Sequence, residues 1–259
     1  MDSVESLLET ESILDYQVTC ADMPECLGLI SKWIATENSP MSFVCANPHS
    51  LYEASKDSAF QSALQDAELV TPDGFGVVLA SKILGGKIKQ RITGSDVFYG
   101  LNDDINKNKT RTCFFLGSTE EVLSEIKEKM AIEYPNIRVV GSYSPPFKVE
   151  FNETDNQLMV DAVNEAAPDI LWVGMTAPKQ EKWIAANKDK LNVKFVGAIG
   201  AVFDFYVGNV KRSSPIFQQL GLEWLPRLAQ EPRRLWRRNF ISSPMFLIGV
   251  MTQKFNLKH

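Results

Sequence analysis

The residues best suited to chemistry sit at junctions where an apolar run gives way to a helical pattern. Ala177-Pro178-Lys179-Gln180-Glu181-Lys182-Trp183 puts an amide and a carboxylate in what reads as the first turn of a helix. Free backbone N–H groups there favour hydrogen bonding to a sugar or a phosphate, although an acid in a first turn is also ordinary helix stabilisation. Thr71-Pro72-Asp73-Gly74 follows the short apolar pair Leu69-Val70. Pro then Asp-Gly is common turn chemistry, but a carboxylate held at the mouth of a cleft is also a candidate general base. Asn47, with Pro48 behind it, reads first as a helix N-cap and second as a cleft residue. Arg91, ahead of Thr93-Gly94-Ser95-Asp96, offers a cation beside a capped helix start, and Asp204 follows Gly197-Ala198-Ile199-Gly200 where it can reach ribose hydroxyls.

A second group is basic. Gly221-Leu222-Glu223-Trp224-Leu225-Pro226-Arg227-Leu228, with Glu231-Pro232-Arg233-Arg234 behind it, opens a Trp-bearing tail. Arg234, Arg237 and Arg238 fall at i, i+3 and i+4 and so share one helical face, with Arg227 on the segment before them. A solvated basic face is the usual explanation of such a run. Trp224, Trp236, Phe240 and the apolar stretch 245–251 alongside it favour an interfacial helix whose cations face lipid phosphates or the active site.

The elements that must position these groups follow from periodicity. Apolar, β-branched runs at 42–46, 112–116, 138–140, 170–173 and 194–199 alternate with amphipathic segments, the pattern of βαβ units around a mainly parallel sheet. One helix is expected from Pro48 to about residue 65. Another, opened by a capping box in Ser118-Thr119-Glu120-Glu121, should end before Pro135. A third, starting near Phe75, should stop at Gly85-Gly86. The run Gly141–Phe147 reads as a loop that interrupts the pattern. In such a sheet ligands bind where strands end and helices begin.

Composition narrows the function classes. The chain has 259 residues, 44% of them hydrophobic, enough for a substantial α/β core. Cys20, Cys26, Cys45 and Cys113 are scattered without C-x-x-C spacing, which suggests a reduced cytosolic protein, and two histidines are too few for a zinc site. The acidic N-terminus has no signal-peptide pattern, and no apolar run approaches the roughly 18 residues of a membrane span. The net charge of −5 is divided: residues 205–259 hold nine Lys/Arg against two Glu, leaving −12 on the remainder. That acidic body disfavours nucleic acid, whereas a basic patch suits a lipid surface or a diphosphate. There is no G-x-G-x-x-G and no D-x-D, so a nucleotide diphosphate would have its charge met by arginines and no metal is expected. A catalytic body at 1–207 and a basic appendage at 208–259 are expected.

Taken in order, these pieces resemble the bacterial WecG/TagA/CpsF glycosyltransferases, glycosyltransferase family 26. The resemblance runs from about Ser42 to Arg238 through Asn47, Pro72-Asp73-Gly74-Phe75-Gly76, Arg91 with Gly94 and Asp96, Phe115-Leu116-Gly117, Tyr134-Pro135, Pro178 to Trp183, Phe203-Asp204 with Gly208 and Lys211-Arg212, and the block from Leu222 to Arg234. It implies a Rossmann-like body with a C-terminal membrane-docking appendage. The implied reaction is inverting, metal-independent transfer of an N-acetylmannosamine-type sugar from a UDP-sugar to a polyprenyl-diphosphate-linked sugar, at the inner face of the cytoplasmic membrane. By position, Asp73 would be the general base, Asn47, Arg91 and Gln180 would line the cleft, and Asp204 would touch the nucleotide. Arg227, Arg234 and Arg237 would reach the diphosphate. Cys45 stands where some relatives carry a threonine hydroxyl. Ser144-Pro145-Pro146-Phe147 and Arg212-Ser213-Ser214-Pro215 also depart from the family pattern. A non-catalytic lipid- or partner-binding module, an NAD-dependent oxidoreductase and a homo-oligomeric state are left open by the sequence.

Overall fold

A computed structural model describes residues 8–108, 110–210 and 236–256. The chain opens with a hairpin, β1 (Thr10–Ile13) and β2 (Tyr16–Thr19), closed by Leu14 and Asp15 at φ 50° and 67°. Both turn residues in the left-handed region match the twist of the flanking strands. Helix α1 (Met23–Thr36) follows, started by a reciprocal capping box between Asp22 and Glu25.

The body is a parallel sheet of six strands: β3 (Met41–Ala46), β4 (Leu69–Pro72), β5 (Arg111–Gly117), β6 (Ile137–Tyr143), β7 (Ile170–Gly174) and β8 (Phe195–Ala198). Their order is β4-β3-β8-β7-β5-β6, every neighbouring pair parallel. Connecting the strands are α2 (Pro48–Ala54), α3 (Ser58–Gln65), α4 (Phe75–Leu84), α5 (Gly94–Asn108), α6 (Glu120–Glu133), α7 (Glu153–Ala166) and α8 (Lys179–Asn187). After β8 comes α9 (Val202–Val207), and the described C-terminal part is a π-helical turn, Arg238–Ser242, running into α10 (Ser243–Asn256).

Alternate strand residues feed two cores, as the two-residue period of a pleated strand requires. Val44, Phe114, Leu171 and Val196 face one layer, with α2, α3, α4, α7, α8, α10 and the hairpin. Phe43, Phe115, Trp172 and Phe195 face the other, with α1, α5, α6 and α9. Helices α2 and α9 therefore leave the adjacent strands β3 and β8 toward opposite faces. That divergence opens a crevice at their carboxyl ends, the place where open α/β sheets bind ligands.

Helix α10 lies on α4 and α2. Phe246 and Val250 are buried in the first core, while the Gln253 side chain accepts from the Leu14 N–H at 2.9 Å and donates to the Ser12 carbonyl at 3.0 Å. Its other side exposes Met245, Ile248, Met251 and Phe255. No described helix is long and apolar enough to cross a membrane.

Three local expectations are corrected. The helix opened by Asn47 ends at Ala54, because Asp57 accepts from the Phe60 N–H at 3.1 Å and starts α3 as a new helix. The cap of α6 is Thr119, bonded to the Val122 N–H at 3.4 Å, so the four-residue box from Ser118 to Glu121 does not form; Ser118 takes φ 64° instead. Residues Gly141 to Tyr143 belong to β6. A bulge at Val140 shifts the register with β5, and Gly141 allows the Phe114 ring an approach that an added Cβ would block at 2.7 Å.

Candidate active site

A cleft of about 1190 Å³ lies over the carboxyl ends of β3, β4, β7 and β8. Of the residues singled out in the sequence, Asn47, Asp73, Arg91, Gln180 and Asp204 all line it. Arg237 does not: it is exposed, and its neighbour Arg238 lines the cleft in its place, together with Asn239 and Phe240. One helical position separates the two, at the start of the π-helical turn. Arg227 and Arg234 lie outside the described residues.

Asp73 is placed by backbone. Its N–H donates to the Ala46 carbonyl at 2.7 Å, extending the β3–β4 ladder one residue past Pro72, and Gly74 at φ 93° then turns the chain into α4. Only glycine adopts that conformation without strain. The half-buried Asp73 carboxyl is pushed up from its usual 3.8 by burial, and held back by the Arg238 and Arg91 guanidinium groups and a hydrogen bond from Asn47. These three partners come from three separate parts of the chain.

Asn47 does two jobs. Its side-chain oxygen caps α2 through the Ser50 N–H at 3.0 Å, while Ser50 Oγ accepts from the Asn47 N–H at 2.8 Å. With the oxygen committed to the cap, the amide nitrogen is the group left for Asp73. The segment carrying Arg91 is fixed by the Ile92 N–H to the Pro72 carbonyl and by Thr71 Oγ1 to the Ile92 carbonyl, at 2.8 and 2.9 Å. Asp96 is engaged at the head of α5, accepting from Thr93 N–H and Oγ1 at 2.9 and 2.8 Å.

Cys45 lies beside Asp73, 3.7 Å from Thr71 Oγ1. Burial, then the Asp73 charge, drives its thiol well above the usual 9.0, so it is a protonated, weak hydrogen-bonding group and not a thiolate. On the β7 and β8 side, Gln180 Oε1 accepts from the Gly200 N–H at 2.9 Å and Gln180 Nε2 donates to Glu181 Oε1 at 2.9 Å. Glu181 is 4% exposed, and burial pushes its carboxyl from 4.5 to about 7. The sequence offers Glu181 both a sugar- or phosphate-bonding role and ordinary helix stabilisation; what sets it apart in the structure is its burial.

The C-terminal segment closes one wall. His49 Nδ1 lies 2.9 Å from Ser242 Oγ, joining α2 to the π-helical turn, and burial followed by the Arg238 charge lowers the imidazole below 6.5. Near neutral pH that ring is uncharged, so Arg238 is the cation this wall presents to Asp73. Among the described residues no group of three or more His, Cys, Asp or Glu is arranged to hold a metal ion.

Comparison with known proteins gives a consistent set. The profile described as Glycosyl transferase WecG/TagA/CpsF family matches residues 11–259. An N-acetylglucosaminyldiphosphoundecaprenol N-acetyl-beta-D-mannosaminyltransferase of Bacillus subtilis (strain 168) is 31% identical over 252 residues, covering 97% of this chain and 94% of its own. Proteins of the same name from Bacillus spizizenii and Staphylococcus aureus (strain MW2) are 29% and 27% identical, covering 94% and 83% of this chain and 91% and 81% of theirs.

Proposed function

The chain belongs to the WecG/TagA/CpsF family of glycosyl transferases, and from that premise we propose that it moves an N-acetylmannosamine-type sugar from a UDP-sugar to a polyprenyl-diphosphate-linked sugar, with inversion. The observation that carries the reading is Asp73: a carboxylate at a sheet's carboxyl edge, facing Arg91, Arg238 and Asn47 in a cleft large enough for two sugars and a nucleotide. Its raised proton affinity suits a general base. In the proposed step Asp73 takes the proton of the acceptor hydroxyl, and that oxygen bonds to the donor's anomeric carbon from the face opposite UDP. The anomeric C–O bond breaks, and its electron pair leaves with UDP.

The leaving diphosphate needs positive charge, which guanidinium groups supply in two-pronged hydrogen bonds without moving a proton. Arg238 and Arg91 support this role by their position, with Arg238 in the place the family resemblance gave to Arg237, and Arg227 and Arg234 are assigned to it by that resemblance. Asp204 and Gln180, on the helices that follow β8 and β7, are assigned to the nucleotide and its sugar. Residues 208–259 act as the appendage in this reading. The exposed apolar side of α10, with Trp236 and Phe240, would lie in the headgroup region of an anionic membrane, bringing the cleft to a lipid-bound acceptor at the cytoplasmic face.

The test is UDP release across a panel of UDP-sugars with a short-chain polyprenyl-diphosphate-GlcNAc acceptor. Release that requires both substrates, fastest with UDP-N-acetylmannosamine, is expected. No release with any donor and acceptor would leave a binding module on the same fold.

A further inference from the structure

Gln180 is tied at both ends of its amide, and the identity of one tie is unambiguous. The Gly200 N–H can only donate, so the Gln180 atom facing it at 2.9 Å is the oxygen. Gly200 sits at φ 57°, which turns that N–H toward α8, and a side chain there would be strained. The nitrogen of the same amide then faces Glu181 Oε1 at 2.9 Å. With one N–H given to Glu181, the other is the donor Gln180 has left to offer the cleft it lines.

Glu181 is suited to holding that arrangement. It is 4% exposed, its Oε2 has no hydrogen-bond partner among the described residues, and it accepts at Oε1 whether or not Oε2 carries a proton. Without it, the amide is restrained only at its oxygen. Resting on the glycosyl-transfer reading above, we propose that Glu181 is a positioning residue that holds Gln180 as a hydrogen-bond donor to an oxygen of the transferred sugar. The transferred sugar is the one concerned because Gly200 begins the turn leading from β8 to Asp204, two strands along the sheet from β4, which carries Asp73. The donor face selects an acceptor oxygen, hydroxyl or acetyl carbonyl, and rejects a group that can only donate.

The test is a double-mutant cycle on the full chain, with kcat/KM for UDP-N-acetylmannosamine and binding of UDP alone as separate readouts. Glu181→Ala should lower kcat/KM by about five- to tenfold, the size of one lost hydrogen bond, while UDP binding stays within about twofold. Glu181→Gln keeps an acceptor oxygen and should recover most of the loss. In a Gln180→Ala background, Glu181→Ala should cost nothing further. Additive losses, Glu181→Gln as impaired as Glu181→Ala, an equal fall in UDP binding, or undiminished activity in Glu181→Ala would each overturn the inference. Absence of UDP binding by the wild-type protein would overturn the glycosyl-transfer reading and this inference with it, a result distinct from all of those.

Discussion

Replacing Glu181 by Gln should stabilise the fold, and by an amount that depends on pH. A buried carboxyl raised from 4.5 to about 7 binds its proton more tightly folded than unfolded. Stability from this group is therefore fully present below the unfolded value and is lost as pH rises through the interval between the two. The difference of two and a half pH units corresponds to about 3 kcal/mol, of which about 2.5 kcal/mol falls between pH 5 and pH 8. Glutamine copies the shape and the Oε1 acceptor of the neutral acid without the ionisation. Urea unfolding of both proteins, fitted at a common m-value, should show the advantage of Glu181→Gln growing by about 2–3 kcal/mol from pH 5 to pH 8. A difference that stays constant across that range would refute the claim that Glu181 is held in a low-dielectric site. One that grows toward acid pH would show that the carboxylate has a cationic partner.

Arg238→Ala removes the stronger of the two cations that hold Asp73 down. The acid limb of the kcat/KM profile should move to higher pH, with a rate loss on the order of a hundredfold at neutral pH, and an unmoved limb would separate Arg238 from Asp73. Ile248→Ser with Phe255→Ser, both exposed on α10, should weaken sedimentation with anionic vesicles by on the order of tenfold or more without changing the midpoint of thermal unfolding. Unchanged sedimentation would remove α10 from the membrane contact. Turnover should persist in EDTA, and its loss would show that guanidinium groups alone do not carry the leaving charge.

The sheet was legible because β5, β7 and β8 are buried on both faces and read as short apolar runs. The β1–β2 hairpin was not, since its turn is Leu14-Asp15 and lacks the glycine or asparagine that marks left-handed residues. The break between α2 and α3 hid for a related reason: Asp57 is helix-compatible in sequence and acts as a cap only once its neighbours fold. In the site, Asp73 and Asn47 were readable because turn and cap chemistry place them at strand ends. Arg238 rather than Arg237 lines the cleft, a difference of one helical position that residue spacing leaves open because both lie on the same basic face. Glu181 could be named but its burial could not be read, because burial comes from packing that residue spacing does not show; its neighbour Gln180 is held by Gly200, twenty residues on.

The account stands most directly on Asp73→Asn. Asparagine keeps the size of the side chain and can still bond to Asn47, but it cannot take a proton. Steady-state UDP release with UDP-N-acetylmannosamine and the lipid-linked acceptor should fall by at least about a hundredfold, while UDP binding measured by calorimetry stays within about threefold. Turnover close to wild type in Asp73→Asn would contradict the account, whatever the fate of UDP binding.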